Sequence, residues 1–386
     1  MKKILVVYQP MIIGGSTTSL ISFLNNIDKK QFEIDLLLSR NTGDLFDKIP
    51  AGINVLPQAY HITSKWIKLL ISLFHKEFYR MLFYKFFMKK KKCTMMQLNS
   101  YNAVNFSRKL NKKYNVAIGY MEFWPSSYVL SKNVKADKKI VWVHTDYKNS
   151  GLDFRVDRPY YKNADKIVLV SDSCLENFKS ECLECKSKAI TIENMLDRSL
   201  LLSRAGEYSV DQTCHEVKFL TVCRLDVYTK GLDRLVQVAS RLKAEGYLFK
   251  WYIVGGGNLQ KMEQMCLENN VADRVIFTGH KINPYPFFTG SDCFVLPSRY
   301  EGKPMVITEA QMLGLPAIVT EYATARDQIK HGDEGLVVSN STEGLYDGLK
   351  YIMESPEELK RFADNLSHKN FDYKETIDKI NGALMI

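Results

Sequence analysis

Short runs of uninterrupted apolar residues alternate with amphipathic stretches along this chain, and halfway through the pattern begins again. Residues 4–8 form the first run, a Gly14-Gly15 turn follows, and Leu20, Ile21, Phe23 and Leu24 then recur at helical spacing. Residues 32–38, 115–120, 139–144 and 166–171 are further short runs, rich in β-branched side chains. A strand with no polar alternation is one buried on both faces, as in a parallel sheet, and parallel neighbours need helical crossovers between them. The second series starts with a strand at 217–222 and a helix carrying Leu232, Leu235, Val236, Ala239 and Leu242. Strands follow at 249–254, 274–278, 293–296, 317–320 and 335–338, with helices at 259–267 and 304–313. Residues 196–215 read as an irregular polar linker. At 386 residues the chain exceeds what one core usually supports. The expected fold is α/β, with two Rossmann-like, doubly wound domains facing a central cleft.

The start of the chain, Met1-Lys2-Lys3, precedes an apolar run too short for a signal peptide, so the expectation is a first buried strand in a cytoplasmic protein. Eight cysteines fit a reducing compartment. Cys182-x-x-Cys185, with Cys174, Cys214 and His215 as possible further ligands, has a zinc-like spacing. No second such pair accompanies it, so free thiols and no metal are expected. Of the net charge of +10, most sits in residues 65–92, which hold eight lysines, Arg80 and one acidic residue, Glu77. The remainder is close to neutral, which argues against a nucleic-acid partner.

Candidate site residues fall where strands end. Arg224 and Lys230 follow the strand at 217–222, in a loop closing at Gly231 where a helix begins. Two cations beside a helix N-terminus suit an anion. Gly255-Gly256-Gly257 ends the next strand and lets backbone approach a ligand, but lacks the spacing of the dinucleotide fingerprint. Gly14-Gly15 is the matching turn in the first domain, with Ser16 and Thr17 as candidate caps. His144 ends the run at 139–144 and is followed by Thr145, Asp146 and Tyr147. Glu301 and Glu309 stand eight positions apart, one after a strand and one in an apolar helix. As an acid/base pair of a glycoside hydrolase they would have to approach to roughly 5–9.5 Å. Eight residues of straight helix span about 12 Å, so a loop before Pro304 would have to shorten the gap.

In this order, Gly14-Gly15, His144, Arg224 with Lys230-Gly231, and Glu301-x7-Glu309 resemble the glycosyltransferase family 4 pattern of the GT-B fold, over nearly the whole chain. The resemblance implies retaining transfer from a nucleotide-sugar, with a UDP-sugar the commonest donor and no metal or other cofactor. It implies that Arg224 and Lys230 hold the diphosphate, that Glu309 accepts from the ribose, and that Glu301 contacts the donor sugar. The backbones of Gly302, Lys303 and Pro304, with Gly14, Gly15, Gly255 and Gly256, would complete the donor site, and His144 would stand in the reaction centre. Residues 1–195 would receive the acceptor, residues 196–365 would bind the donor, and a helix in 366–386 would return to the first domain. Residues 321–326, Glu-Tyr-Ala-Thr-Ala-Arg, depart from the Gly-rich, Pro-containing turn common in the family. The donor sugar is therefore left open.

The basic segment 65–92 reads as a helix with Ile67, Leu70, Ile71, Phe74, Phe78, Met81 and Leu82 on one face. Its ionisable side chains exclude a membrane span. Trp66 and Phe74 beside Lys68, Arg80, Lys89, Lys90, Lys91 and Lys92 suit a helix lying on a membrane surface. The expected function is transfer to a lipid-linked or surface glycan in capsule or exopolysaccharide synthesis, at the inner face of the cell membrane. A sugar-nucleotide epimerase of the same fold would act without an acceptor, and a non-catalytic binding subunit would give no product at all.

Overall fold

A computed structural model describes residues 1–60, 62, 64–87, 92–148, 150–210 and 216–385. The chain divides into two compact units. Met1–Met195 and Tyr373–Ile386 form the first, and Leu196–Asp372 the second.

The first unit is built on seven parallel strands: β1 (Lys2–Tyr8), β2 (Phe32–Leu38), β3 (Asn54–Val55), β4 (Lys113–Gly119), β5 (Lys135–Val143), β6 (Lys166–Leu169) and β7 (Ala189–Thr191). Their order across the sheet is β3-β2-β1-β4-β5-β6-β7. The winding direction reverses between β1 and β4, which pair from Ile4↔Val116 to Val7↔Gly119. Between and around the strands run α1 (Gly15–Asn26), α2 (Lys65–Ser72), α3 (Lys76–Phe87), α4 (Lys92–Ala103), α5 (Trp124–Leu130), α6 (Phe154–Tyr161) and α7 (Asp172–Glu181). Ile4 and Val6 point to one core layer and Leu5 and Val7 to the other, all fully buried. Each such side chain contributes about 1.5–3 kcal/mol when removed from water.

The second unit has six parallel strands. They are β8 (Val217–Val222), β9 (Phe249–Val254), β10 (Val275–Gly279), β11 (Cys293–Leu296), β12 (Ala317–Thr320) and β13 (Gly335–Val338), in the order β10-β9-β8-β11-β12-β13. Its helices are α8 (Arg198–Ala205), α9 (Leu232–Ala244), α10 (Leu259–Glu268), α11 (Tyr285–Thr289), α12 (Met305–Met312), α13 (Ala325–Gln328), α14 (Thr342–Glu354) and α15 (Glu357–Ser367). The reversal here lies between β8 and β11. The chain then returns to the first unit, where α16 (Lys374–Leu384) puts Ile380, Ala383 and Leu384 into the core.

The linker expectation needs correction. Residues 196–215 hold α8, capped by Asp197, whose carboxylate accepts the Ser199 and Leu200 N–H groups. Leu201, Arg204 and Ala205 are buried. One buried stripe suffices for a helix of two turns, and polar residues on its other side hid it.

Among the described residues, no helix is long and apolar enough to cross a membrane. Nor does any group of three or more His, Cys, Asp or Glu among them stand ready to hold a metal. Cys174, Cys182 and Cys185 are buried, while Cys214 and His215 lie outside the described residues.

Candidate active site

At the reversal point of the second sheet, the loops after β8 and β11 lie against each other. Gly231 makes this possible: it adopts the left-handed conformation (φ 66°), and an added Cβ would stand 1.9 Å from the Pro297 carbonyl oxygen. Arg299 closes the seam. Its guanidinium donates to both carboxylate oxygens of Asp233, at 2.8 and 2.7 Å, and to the Tyr228 carbonyl at 2.7 Å. Asp233 lies in the first turn of α9, where a carboxylate also complements the helix dipole. Sequence reasoning missed Arg299, because nothing in its spacing ties it to residues 66 positions away.

This framework brings two predicted residues together. Lys230 Nζ donates to Glu301 Oε1 at 2.6 Å, and Ser298 Oγ donates to the same oxygen at 2.6 Å. The Lys230 and Glu301 side chains are only 20% and 10% exposed, so water screens the pair weakly. Arg224, on the same loop as Lys230, is 75% exposed and stands 3.6 Å from Asp226. A buried cation already paired and a second, solvated cation form a graded anion site, since an arriving anion competes with Glu301 for Lys230.

Glu309 differs from Glu301. It projects from α12 into the unit, 5% exposed, and its carboxylate accepts the Tyr285 hydroxyl at 3.5 Å. Burial pushes its pKa up to about 7. Glu301 is bound to Lys230 and Ser298 while Glu309 is bound to Tyr285, which does not resemble an acid/base couple sharing one substrate atom. The loop between them is braced from the segment that departs from the family pattern. Thr324 Oγ1 donates to the Gly302 carbonyl at 2.5 Å, and Gln328 Nε2 to the Pro304 carbonyl at 3.1 Å. Lys303 lies between these braced residues.

The two glycine turns prove unlike. An added Cβ at Gly255 would meet the Cys223 carbonyl oxygen at 1.7 Å, and one at Gly257 would meet Leu225 Cβ at 2.6 Å. These glycines are needed for packing β9's end against the Arg224 loop, where Leu225 N–H donates to the Gly256 carbonyl at 2.9 Å. Gly14 has nothing within 4 Å of an added Cβ. The predicted caps at Ser16 and Thr17 are not made. Gly14 is itself the N-cap residue with no side-chain cap, Thr17 Oγ1 donates to the Ile12 carbonyl at 2.5 Å, and Ser16 Oγ meets the Tyr8 hydroxyl at 2.7 Å.

His144 is held within the first unit from three sides. Its N–H donates to Glu122 Oε2 at 3.0 Å, its Nε2 lies 3.1 Å from the Tyr120 carbonyl, and its Nδ1 lies 3.4 Å from Asn194 Nδ2. That pattern assigns the ring proton to Nε2, with Nδ1 accepting. Burial lowers its pKa to about 4, so the ring is neutral at pH 7. Ser19 of α1 donates to Asn194 Oδ1 at 2.8 Å, linking the helix behind Gly14 and Gly15 to His144. Glu122 and Asn194, absent from the predicted set, thus position the histidine.

Residues 215–369 match the family model for glycosyl transferases group 1. The matched stretch lies within the second unit. An uncharacterised glycosyltransferase of Methanocaldococcus jannaschii, MJ1059, is 26% identical over 254 residues, covering 63% of this chain and 61% of that protein. The amylovoran biosynthesis glycosyltransferase AmsD of Erwinia amylovora is 31% identical over 162 residues, 40% of this chain and 44% of AmsD. The aligned parts thus span less than two thirds of either relative. Anabaena HepE, solved in complex with UDP and glucose, superposes with a TM-score of 0.71 at 15% identity, covering 100% of this chain and 99% of HepE. The two Rossmann-like units are those of the GT-B fold.

The basic segment at 65–92 is not one helix. Ser72 is buried and accepts from Asn102 Nδ2 of α4 at 3.1 Å, and the chain turns at Leu73–His75 before α3 begins. The apolar side chains left in water are correspondingly different from the single face expected. Trp66 (75%) and Phe74 (87%) are exposed, together with Leu69, Leu70, Leu73, Phe83 and Phe86, whereas Phe78, Met81 and Leu82 are half-buried. Lys68 Nζ lies 5.5 Å from the centre of the Phe106 ring, and Arg80 is half-buried. Lys89, Lys90 and Lys91 lie outside the described residues, and only the backbone of Lys92, which opens α4, is described.

Proposed function

We propose that the protein is a retaining glycosyltransferase of family 4 type that moves a sugar from a nucleotide donor, a UDP-sugar, to a lipid-linked or surface glycan in polysaccharide synthesis, without a metal. The observation that carries this reading is the Lys230–Glu301–Ser298 cluster beside Arg224 at the reversal point of the second sheet. Open α/β sheets bind ligands at such points. In this reading Lys230 exchanges Glu301 for the donor diphosphate, and Arg224 adds a second charge as the leaving nucleotide separates. Released from Lys230, Glu301 accepts from the sugar hydroxyls, and Glu309 accepts from the ribose. Attack occurs on the face the diphosphate leaves, with the leaving phosphate taking the acceptor proton. The protein contributes position and electrostatics fixed in advance. The amylovoran relative and the UDP and glucose held by HepE support this choice of acceptor class and donor.

A panel of UDP- and GDP-sugars, with and without glycan acceptors and in the presence of a chelator, tests it. Acceptor-dependent transfer with retained anomeric configuration is expected. Donor epimerisation without acceptor, or no product with any donor, would overturn it.

The same reading places the enzyme at the inner face of the cell membrane. The exposed Trp66, Leu70 and Phe74 stand in a segment carrying most of the chain's net positive charge. An anionic leaflet attracts each such cation by about 1 kcal/mol. Flotation with vesicles containing anionic lipid should carry the protein upward, and replacing Trp66 and Phe74 with Ser should abolish it. Absence of flotation, or flotation unchanged by those replacements, would sink the membrane assignment.

A further inference from the structure

The first unit encloses a cavity of about 320 Å3 at its own reversal point. Gln9 enters it just past β1, Glu122 and Phe123 from the loop after β4, and Asn99 from α4. Tyr60 and Trp124 supply aromatic wall, with ring centroids 5.0 Å apart. Its volume lies at the lower end of ligand pockets, about 300–1,000 Å3.

Phe123 shows that the wall is built at a cost. Its backbone sits at φ 65°, ψ −130°, which is unfavourable for a bulky side chain. Such strain costs on the order of 1–3 kcal/mol and persists only where surroundings enforce it. They do so here. The Phe123 carbonyl accepts both the N–H and the hydroxyl of Ser127, at 2.9 and 2.7 Å, and Pro125 stiffens the turn. The preceding residue, Glu122, is anchored by the His144 N–H. The strained turn puts an aromatic ring and a carboxylate side by side on one wall.

Among the described residues the lining contains no lysine or arginine, and the charge of Arg40 acts on Tyr60 from beside it. A phosphate or diphosphate entering it would meet the Glu122 carboxylate, with no lysine or arginine among the described lining residues to pair with it. A neutral pyranose fits that chemistry: its C–H face packs on aromatic rings, and its hydroxyls donate to a carboxylate and to side-chain amides. Burial raises the Glu122 pKa, so hydroxyl donors would stabilise its ionised form. Met96 of α4 also lines the cavity, and α4 packs against α3, which carries exposed Phe83 and Phe86. A sugar in the cavity would therefore sit close to an apolar surface.

The geometry points to this cavity as the subsite for an uncharged pyranose unit of the acceptor glycan, gripped between Phe123, Trp124 and Tyr60 and hydrogen-bonded by Glu122, Gln9 and Asn99. This rests on the glycosyl-transfer reading for its role, but not for its binding chemistry. The test uses the full chain and a panel of methyl hexopyranosides, with saturation-transfer NMR as the readout and UDP titrated separately. At least one pyranoside should bind, and Glu122→Gln and Asn99→Ala should each weaken it about tenfold, the loss expected for one hydrogen bond to a charged or placed group. For Asn99→Ala, UDP affinity and the melting temperature should stay as in the parent. Asn99 is exposed, so its variant keeps the test decisive if Glu122→Gln fails to fold. No pyranoside binding, equal binding by both folded variants, or displacement of the pyranoside by UDP would overturn the subsite. If pyranosides bind as expected and nothing is transferred to them, the subsite stands and the transfer reading falls. If transfer proceeds with an unchanged acceptor KM in both variants, the reverse holds.

Discussion

The two sheets reverse their winding at equivalent places, between β1 and β4 and between β8 and β11, yet the chemistry there is opposite. In the second unit the loops carry Arg224, Lys230 and Glu301, locked by the Arg299–Asp233 pair. In the first they carry aromatic rings and one buried carboxylate, with no lysine or arginine among the described residues of the cavity wall. Topology therefore selects where a ligand can enter, while loop composition selects its charge. The glycines repeat the contrast: Gly255 is pressed against its neighbour's backbone, and Gly14 faces open space.

Substitutions can break this comparison. Lys230→Ala should lower turnover at least about a hundredfold with the fold retained, as loss of a charge-stabilising group does. A near-normal rate would remove the anion role from the second unit. Gly255→Ala should destabilise that unit by about 2–4 kcal/mol in urea unfolding, since its Cβ would overlap the Cys223 carbonyl oxygen. Gly14→Ala should stay within about 0.5 kcal/mol, because nothing lies near its Cβ. Equal effects at the two turns would erase the distinction drawn between them.

The pH response sharpens the contrast further. Glu309 is raised from 4.5 to about 7 in the folded chain, so the native state binds the extra proton between those values. The second unit should therefore lose stability as pH rises from about 4.5 to about 7, by on the order of 1–3 kcal/mol. Glu309→Gln should flatten that slope in pH-dependent hydrogen exchange. In the first unit, His144 is lowered to about 4 and Asp157 raised to about 6, both by burial. Falling pH costs stability through the histidine and restores it through Asp157, so that unit should respond less. An unchanged slope in Glu309→Gln would mean another group sets it. A modest effect belongs to Thr324→Val, which removes one brace on the Gly302 carbonyl. Donor KM should rise several-fold, equivalent to about 1 kcal/mol, with kcat nearly unchanged. An equal fall in kcat would assign Thr324 a part in the transition state instead.

Much of this was legible in the chain itself. Continuous apolar runs such as Ile4–Val7 have few folded solutions other than a buried parallel strand, and the buried stripe of α9 follows directly from its spacing. Edge strands β3 and β7, of two and three residues, are too short to show a pattern. Helix α8 hid in a polar stretch because its burial comes from tertiary neighbours. In the site, strand ends announced Arg224, Lys230 and Glu301. Their supports did not, since Thr324, Gln328 and Arg299 act across 22 to 71 positions of chain. The apolar side chains of 65–87 were visible, but not which would stay in water, because the turn after Ser72 depends on Asn102. Phe123 gave no signal, as nothing about phenylalanine foretells a positive φ.

The return of residues 373–386 to the first unit has a consequence for synthesis on the ribosome. Residues 196–372 form an uninterrupted stretch, so the second unit can complete its core while the chain is still growing. The first unit emerges earlier but closes later, because Ile380 and Leu384 are made only after the whole of the second unit. Until they arrive, the apolar surface they cover stays open to chaperones, and of the two units the one begun earlier is the one finished later.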